Sequence, residues 1–445
     1  MLPACRTEGK TETCPPFALA RSDVKGFLHE LRNFHDAFRS CFPRRESREH
    51  LFRSMVGLLS PLERKSIEPM ALEVKGGKVR AMQRFVSDDR WDEAQMRHIY
   101  HQLVYEDMGA PAGVVIVDES GFQKKGKDSG GVARQYCGPL GKVENCQVGV
   151  FAAYASPHGY ALVDQQLFLP EPWFTEAYAE RRTKCQVPPN LAFQTTPQWA
   201  GTMVRALFQE RVLPFKYVVA DCLYGNSADF LAAVEACWGV TYLVAIPADT
   251  RCWLHGPVME THAYRHRGKA RTKRVVRPAD GHPPTVEMIA KRLPETFWYR
   301  RTVSEGTQGP IVYEFTKRQV TLCREGMPDR AVWLVLKRTV GAEPSYWYYI
   351  SNAPLSTRLP TFVWLSSVRW AIEQSFEEAK TELGMDHDEV RKYPGWYHHM
   401  LLCMLAHFFL WHVKIRLGEK STGLEPLPDA DVSGSGPPLT PVYDC

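Results

Sequence analysis

The sequence predicts an α/β fold in which a mixed five-stranded sheet is flanked by helices, and three observations carry that expectation. Two apolar β-type runs, 113–118 and 217–221, each end on an aspartate. Around them, strand-like and helix-like segments follow one another in the order β-β-β-α-β-α-β. Far downstream, a helical segment carries Arg369, Glu373 and Lys380 beside an apolar stripe. The 445 residues, 44% hydrophobic and 11% aromatic, suffice for two to four domains with a substantial core.

The first hundred or so residues read as helices, with apolar residues at three- and four-residue spacing over 24–38, 49–59 and 91–108. The segment 80–91 offers Ser87 or Asp88 as a helix cap and carries basic residues, yet its spacing does not specify a helix-turn-helix. A DNA-binding module and a plain helical bundle both account for it. From Gly113 the texture changes to strands over 114–118, 147–154 and 160–169, the last two joined by a Ser156-Pro157-His158-Gly159 turn. A helix near 198–210 precedes the strand ending at Asp221, and one over 228–236 precedes a strand over 241–246. That order is the order of a ribonuclease H-like core. In such a sheet the first and fourth strands are neighbours, so Asp118 and Asp221 are expected to emerge together.

Residues 250–351 then interrupt the pattern with strand-like runs over 297–303, 311–315, 319–323, 331–338 and 346–351, far longer than a usual loop of about 4–6 residues. Helices over about 362–383 and 398–417 follow. The expected division is a helical N-terminal DNA-binding region (1–110), the first part of a catalytic core (111–249), a basic β-rich insertion between the fifth strand and the glutamate helix (250–345), the C-terminal part of the core (346–418) and a disordered Pro/Gly/Ser-rich tail (419–445).

The net charge of +5 hides a local excess. Residues 251–345 hold 18 Lys or Arg against 9 Asp or Glu, and the densest stretch contains Arg265, Arg267, Lys269, Arg271, Lys273 and Arg274. A polyanion such as DNA would be drawn there by phosphate contacts and counterion release, although a solvated loop carries such charges too. Lys124, Lys125 and Lys127 sit just after Asp118, where a DNA strand would enter a site built on it. Twelve cysteines without a Cys-x-x-Cys pair argue against a zinc ribbon and fit reduced thiols. No apolar run approaches the roughly 20 residues of a membrane span, and the start lacks the apolar core of a signal peptide, so a cytoplasmic protein is expected. Gly138-Pro139-Leu140-Gly141-Lys142 lacks the spacing of a phosphate loop and reads as a turn before a strand. His398, His399, His407 and His412 share a C-terminal helix without a carboxylate partner, which favours packing over metal binding.

An acidic residue at the mouth of a buried strand is costly unless a cation or donor compensates it. Two of them plus a helical carboxylate suggest a site for hard divalent cations, which prefer oxygen ligands. At 100° per residue, Ile372, Phe376, Ala379 and Leu383 form the buried stripe; Arg369, Glu373 and Lys380 fall along one edge, with Glu377 about 40° further toward solvent. Glu373 is therefore the better candidate to lean over the sheet. Lys380, about 10 Å along the axis from Glu373, is expected to face another anion. Three such carboxylates can hold two Mg²⁺ or Mn²⁺ ions about 3.5–4 Å apart for in-line attack on phosphorus. A lone aspartate at a strand end is also a common helix or turn cap.

The helix reads Ser366-x-x-Arg369-x-x-x-Glu373-x-x-x-x-x-x-Lys380, which resembles the Tyr-Arg-Glu-Lys signature of bacterial insertion-sequence transposases with an Asp-Asp-Glu site; Ser366 stands in the tyrosine's place. The strings from Val117 to Gly126, Gly131 to Gly138, Val219 to Gly225 and Val244 to Thr250 resemble the insertion sequence 701 family, over residues 25 to 415 or so. This resemblance implies binding of terminal inverted repeats, cleavage at the transposon ends and joining of the 3′ ends to target DNA, a cut-and-paste reaction. It implies a homodimer on double-stranded DNA in the bacterial nucleoid, two Mg²⁺ ions with Mn²⁺ as substitute, and no organic cofactor. Asp118, Asp221 and Glu373 would bind metal, and Arg369 and Lys380 would contact phosphates. Trp298 or Trp333 would help hold a flipped base or hairpin end, although a sheet-core role is the favoured reading of either residue. A metal-dependent nuclease of the same fold would not need an end-binding region, and a non-catalytic DNA-binding regulator would not need an intact carboxylate set.

Overall fold

A computed structural model describes residues 21–266, 269–306 and 309–416. Residues 1–20, Arg267 and the 419–445 tail lie outside the described residues.

Five helices come first: α1 (Arg21–Ala37), α2 (Arg45–Leu58), α3 (Ile67–Glu73), α4 (Val79–Ser87) and α5 (Glu93–Met108). The cap differs from the expected one. The buried stripe of Met82, Phe85 and Val86 carries α4 through Ser87, so Ser87 and Asp88 end one helix instead of starting the next. Asp92 caps α5, accepting from the Gln95 N–H at 3.1 Å.

Strands β1 (Val114–Gln123), β2 (Ala133–Cys137), β3 (Lys142–Ser156) and β4 (Gly159–Phe168) follow, then helices α6 (Ala179–Lys184) and α7 (Thr196–Glu210). Next come β5 (Tyr217–Ala220), the short α8 (Cys222–Gly225), α9 (Ala228–Glu235) and β6 (Thr241–Ala245). A contiguous set runs β4-β3-β1-β5-β6, antiparallel between β4, β3 and β1 and parallel from β1 to β6. Strand β1 and the strand before Asp221 are neighbours, as expected. Val114–Val117 and the whole of β5 are buried, as central parallel strands covered on both faces must be. Strand β1 does not stop at Asp118, however. Its parallel partner ends at the Val117–Ala220 pair, but β3 continues beside it from Asp118↔Phe151 to Gln123↔Cys146, so five more residues stay in the ladder.

Edge strand β4 is protected from α5, whose Tyr100 hydroxyl donates to Leu162 O at 2.6 Å and whose His101 ring lies 2.8 Å from Val163 O. The turn at Ser156-Pro157-His158-Gly159 joins β3 to β4, and the Gly138–Leu140 turn leads into β3, both as expected.

The basic region holds β7 (Cys252–Trp253), β8 (Met259–His266), β9 (Lys269–Val276), α10 (Val286–Arg292), β10 (Tyr299–Gly306), β11 (Gly309–Arg324) and β12 (Met327–Thr339), and β13 (Tyr346–Ser351) follows. Strands β10 to β13 prolong the core sheet: β13 pairs with β6 through Tyr349↔Ala245 and Ile350↔Val244. With β7 on β11 and β2 on β3, the sheet is eleven-stranded instead of five-stranded. Strand β6 would otherwise be a bare apolar edge, and β13 supplies its missing partners. Among the described residues, β8 and β9 alone stand apart, as a two-stranded hairpin.

The expected single helix over 362–383 is two, α11 (Leu359–Val368) and α12 (Trp370–Thr381), broken at Arg369. Just before the break, the Ser366 and Ser367 hydroxyls donate to the carbonyls of Val363 at 2.7 Å and Trp364 at 2.6 Å, the kind of back-bonding that bends helices. The last helix, α13 (Tyr393–Arg416), is buried along most of its length. Its histidines do have carboxylate partners, on other elements: His398 with Glu93 at 3.1 Å, His407 with Glu378 at 2.7 Å and His412 with Asp107 at 2.6 Å. His399 meets the Met385 carbonyl instead. Among the described residues no helix is long and apolar enough to cross a membrane, and every cysteine is free.

Helix α8 depends on one close approach. A Cβ at Gly225 would lie 1.9 Å from the Ala245 carbonyl oxygen, whereas one at Gly26 would meet nothing within 4 Å. Gly225→Ala is expected to destabilise the protein by about 1–3 kcal/mol, read from the denaturant midpoint. Gly26→Ala, in the α1 interior, should be neutral or stabilising by about 0.5–1 kcal/mol.

Candidate active site

Strand pairing brings Asp118 and Asp221 together. They are the residues that follow the last parallel pair, Val117↔Ala220, so the register sets them beside one another where β5 ends. Asp221 also plays the plainer role, capping α8 through a bond from the Leu223 N–H to its Oδ1 at 2.9 Å. Asp118 takes the Glu119 N–H on Oδ1 at 2.9 Å and the Arg369 Nη1 on Oδ2 at 2.9 Å. Burial pushes the Asp118 carboxyl up to about 7, against the pull of Arg369 and with Glu119 and Asp221 adding to the rise.

Helix α12 lies over the same strand. At its start Arg369 bridges Asp118 and Glu373, the latter pair in close contact through Nη2. At mid-helix Phe376 packs edge-on against Phe151, the partner of Asp118 in the ladder, with ring centroids 5.3 Å apart. Toward its end Lys380 donates to Ser120 Oγ at 2.8 Å and to Gly121 O at 3.2 Å. Asp118 and Ser120 share one face of β1, so the helix is fastened to it at two points. The predicted stripe of Ile372, Phe376, Ala379 and Leu383 is buried. Lys380, expected to face an anion, is instead bound to neutral groups over the Phe122 ring, and burial lowers its pKa.

Two residues of this cluster carry a signal that sequence reasoning passed over. Glu119, next to Asp118, accepts from the Tyr224 hydroxyl at 2.6 Å, and burial raises its pKa. Tyr224 lies three residues after Asp221 and is fully buried. Their bond ties the α8 turn to β1.

The carboxylates suit a hard divalent cation in kind, being oxygen donors only. Among the described residues, no three His, Cys, Asp or Glu side chains are already gathered to hold a metal ion. The cation between Asp118 and Glu373 is Arg369.

The other expected DNA contacts divide. Arg271, Lys273 and Arg274 are exposed on β9, and the Arg265 and Lys269 backbones are in the same hairpin. Lys125 is exposed. Lys124 is turned inward, its Nζ 3.1 Å from the almost fully buried Asp388 carboxylate. Trp298 is buried beneath Arg338, whose guanidinium lies 4.3 Å from the ring centroid and pairs with Glu295 and Glu314. Trp333 lies under Lys317 and donates to Pro354 O at 3.3 Å. Trp298, one residue before β10, is part of the buried core, and Trp333 on β12 is partly buried against it.

The raised Asp118 pKa has a stability consequence. Between the unfolded value of about 4 and the folded value of about 7, the native chain keeps a proton that the unfolded chain releases. Its contribution is complete below pH 4 and is lost as pH rises through 7, by at most about 4 kcal/mol. Asp118→Asn should remove this slope, so that the variant gains on the wild type from pH 4 to pH 8 in thermal unfolding without divalent metal.

Residues 37–310 match the family described as DDE superfamily endonuclease, a span that includes Asp118 and Asp221 and ends before Glu373. The chain is 24% identical over 357 residues, 80% of each protein, to the probable transposase for insertion sequence element IS701 of Microchaete diplosiphon. It aligns with the cryo-EM structure of the piggyBac transposase synaptic complex with hairpin DNA at a TM-score of 0.39 and 9% identity, over 88% of this chain and 74% of that one. The family match takes in well over half of the residues, and the protein belongs to the DDE superfamily endonucleases.

Proposed function

We propose that this transposase binds the terminal inverted repeats of its element, cleaves the ends and joins the 3′ ends to target DNA, with Asp118, Asp221 and Glu373 as ligands for two Mg²⁺ ions or Mn²⁺ in their place. The observation that carries the reading is the docking of α12 on β1, which sets Glu373 one guanidinium away from Asp118 while the β1–β5 register sets Asp221 beside it. The contiguous β4-β3-β1-β5-β6 order supports a ribonuclease H-like core within the larger sheet. When bound, such ions make a water or 3′-hydroxyl more nucleophilic and stabilise the leaving oxygen.

The remaining work falls to the chain's own side chains. Arg369, at the break between α11 and α12, is placed to exchange a carboxylate for a phosphate, which a guanidinium can grip with two parallel bonds. Lys380 holds the helix on β1. The exposed Arg271, Lys273 and Arg274 of the hairpin, with Lys125, offer charge to the DNA backbone. The helices of the 1–110 region are the proposed end-binding part and the 250–345 strands an insertion that lengthens the sheet. A homodimer bridging two ends, at work on the nucleoid, completes the proposal.

Purified protein incubated with Mg²⁺, a DNA carrying the element's terminal repeats and a target plasmid should yield joined products. Cleavage without joining would point to a nuclease, and binding without either to a regulator. Alanine at Asp118, Asp221 or Glu373 should abolish both steps while DNA is still bound; strand transfer surviving in any of the three would sink the assignment of that residue. Binding should weaken with salt, and replacing Arg271, Lys273 and Arg274 by alanine should flatten the log–log salt slope by up to about three.

A further inference from the structure

Arg369 lies between two of the proposed metal ligands and contacts both. Both Asp118 oxygens already have donors, the Glu119 N–H and the Arg369 Nη1, each at 2.9 Å. The other guanidinium nitrogen of Arg369 is in close contact with Glu373 Oε1. A small divalent cation demands oxygen ligands at about 2.0–2.1 Å in near-octahedral order, and a guanidinium held between two of those ligands competes for their lone pairs and repels the incoming charge. Lys380, the other cation of the helix edge, makes no such claim, since its contacts are Ser120 and Gly121.

We infer that Arg369 is a latch on the proposed metal site: without DNA it is the counter-cation of Asp118 and Glu373, and those carboxylates accept divalent ions only as it moves to a DNA phosphate. The inference rests on the reading of Asp118, Asp221 and Glu373 as metal ligands. Three features make the exchange feasible. Arg369 sits at the junction of two helices, outside the regular hydrogen-bonded interior of either. Its side chain is 37% exposed and that of Glu373 54%, so both can be reached from solvent, whereas Asp118 at 14% depends on its partners for compensation. A guanidinium fork can grip one phosphate with two parallel bonds, so the arginine trades single contacts to two carboxylates for one bidentate partner. The coupling is reciprocal by linkage: DNA raises metal affinity, and metal raises DNA affinity by the same factor. Cleavage chemistry would then be assembled only on DNA.

The test is Mn²⁺ binding to the full-length protein, followed by the electron paramagnetic resonance signal of free Mn²⁺. It is run with and without a duplex of unrelated sequence, after subtracting the Mn²⁺ taken up by duplex alone. Arg369→Gln without DNA should bind Mn²⁺ about tenfold tighter than wild type, within the range usual for coupled sites. Wild type should gain a similar factor on adding duplex, and Arg369→Gln should gain little. Arg369→Lys keeps the charge but cannot span two carboxylates, so it should also bind Mn²⁺ tighter than wild type. It carries the comparison if circular dichroism shows that the glutamine variant does not fold. Equal Mn²⁺ affinity in wild type and both variants, or a wild type indifferent to duplex, would overturn the latch. Asp118→Asn identifies the site: Mn²⁺ uptake unchanged by that substitution, or absent from every protein with and without duplex, would instead overturn the metal-ligand reading and the latch with it.

Discussion

The candidate site depends on β1 having different partners along its length. Over Val114–Val117 it is clamped between β5 and β3 and buried on both faces. At Asp118 the parallel partner ends and only the antiparallel one continues, which opens one flank of the strand where the chain changes from valine and isoleucine to carboxylates. A side chain there is rooted in a strand that is paired on both sides one residue earlier. Asp221, leaving β5 at the same level, turns into α8 and caps it.

Helix α12 closes that arrangement by spanning β1. Its two cations do different work: Lys380 bonds to neutral groups and acts as a fastener, whereas Arg369 neutralises carboxylates. Phe376 on Phe151 fixes the helix between them, and the Glu119–Tyr224 bond holds the α8 turn from the other side. The cluster thus has a stiff apolar support and a soft electrostatic centre. The guanidinium takes no part in the Phe376–Phe151 contact or the Lys380 anchor. Burial of Asp118 raises the cost of leaving its charge uncompensated, which is the force that any incoming cation would relieve.

Elsewhere, the same balance of burial and pairing holds the helical region to the core. Three of the four histidines of α13 meet carboxylates borne by α5 and α12, which ties the longest helix both to the N-terminal helices and to the helix carrying Glu373. Trp298 beneath Arg338, with Glu295 and Glu314, does the equivalent for the strands that prolong the sheet.

Local pattern in the sequence determined the strands around Asp118 and Asp221, the α7–β5 and α9–β6 alternation, and the buried stripe that chose Glu373 over Glu377. Each of these is a matter of periodicity and side-chain type within a few residues. Partnership between distant segments was decided only in the tertiary structure. Whether β1 stops at Asp118 depends on β3, some thirty residues on; whether the insertion is a separate sheet depends on β6 lacking a neighbour; whether Lys124 faces DNA depends on Asp388. The histidine partners and the place of Arg369 between two carboxylates belong to the same class. A charge in a sequence has a sign but no partner, and only packing brings the opposite charge within reach and sets how much water remains between them.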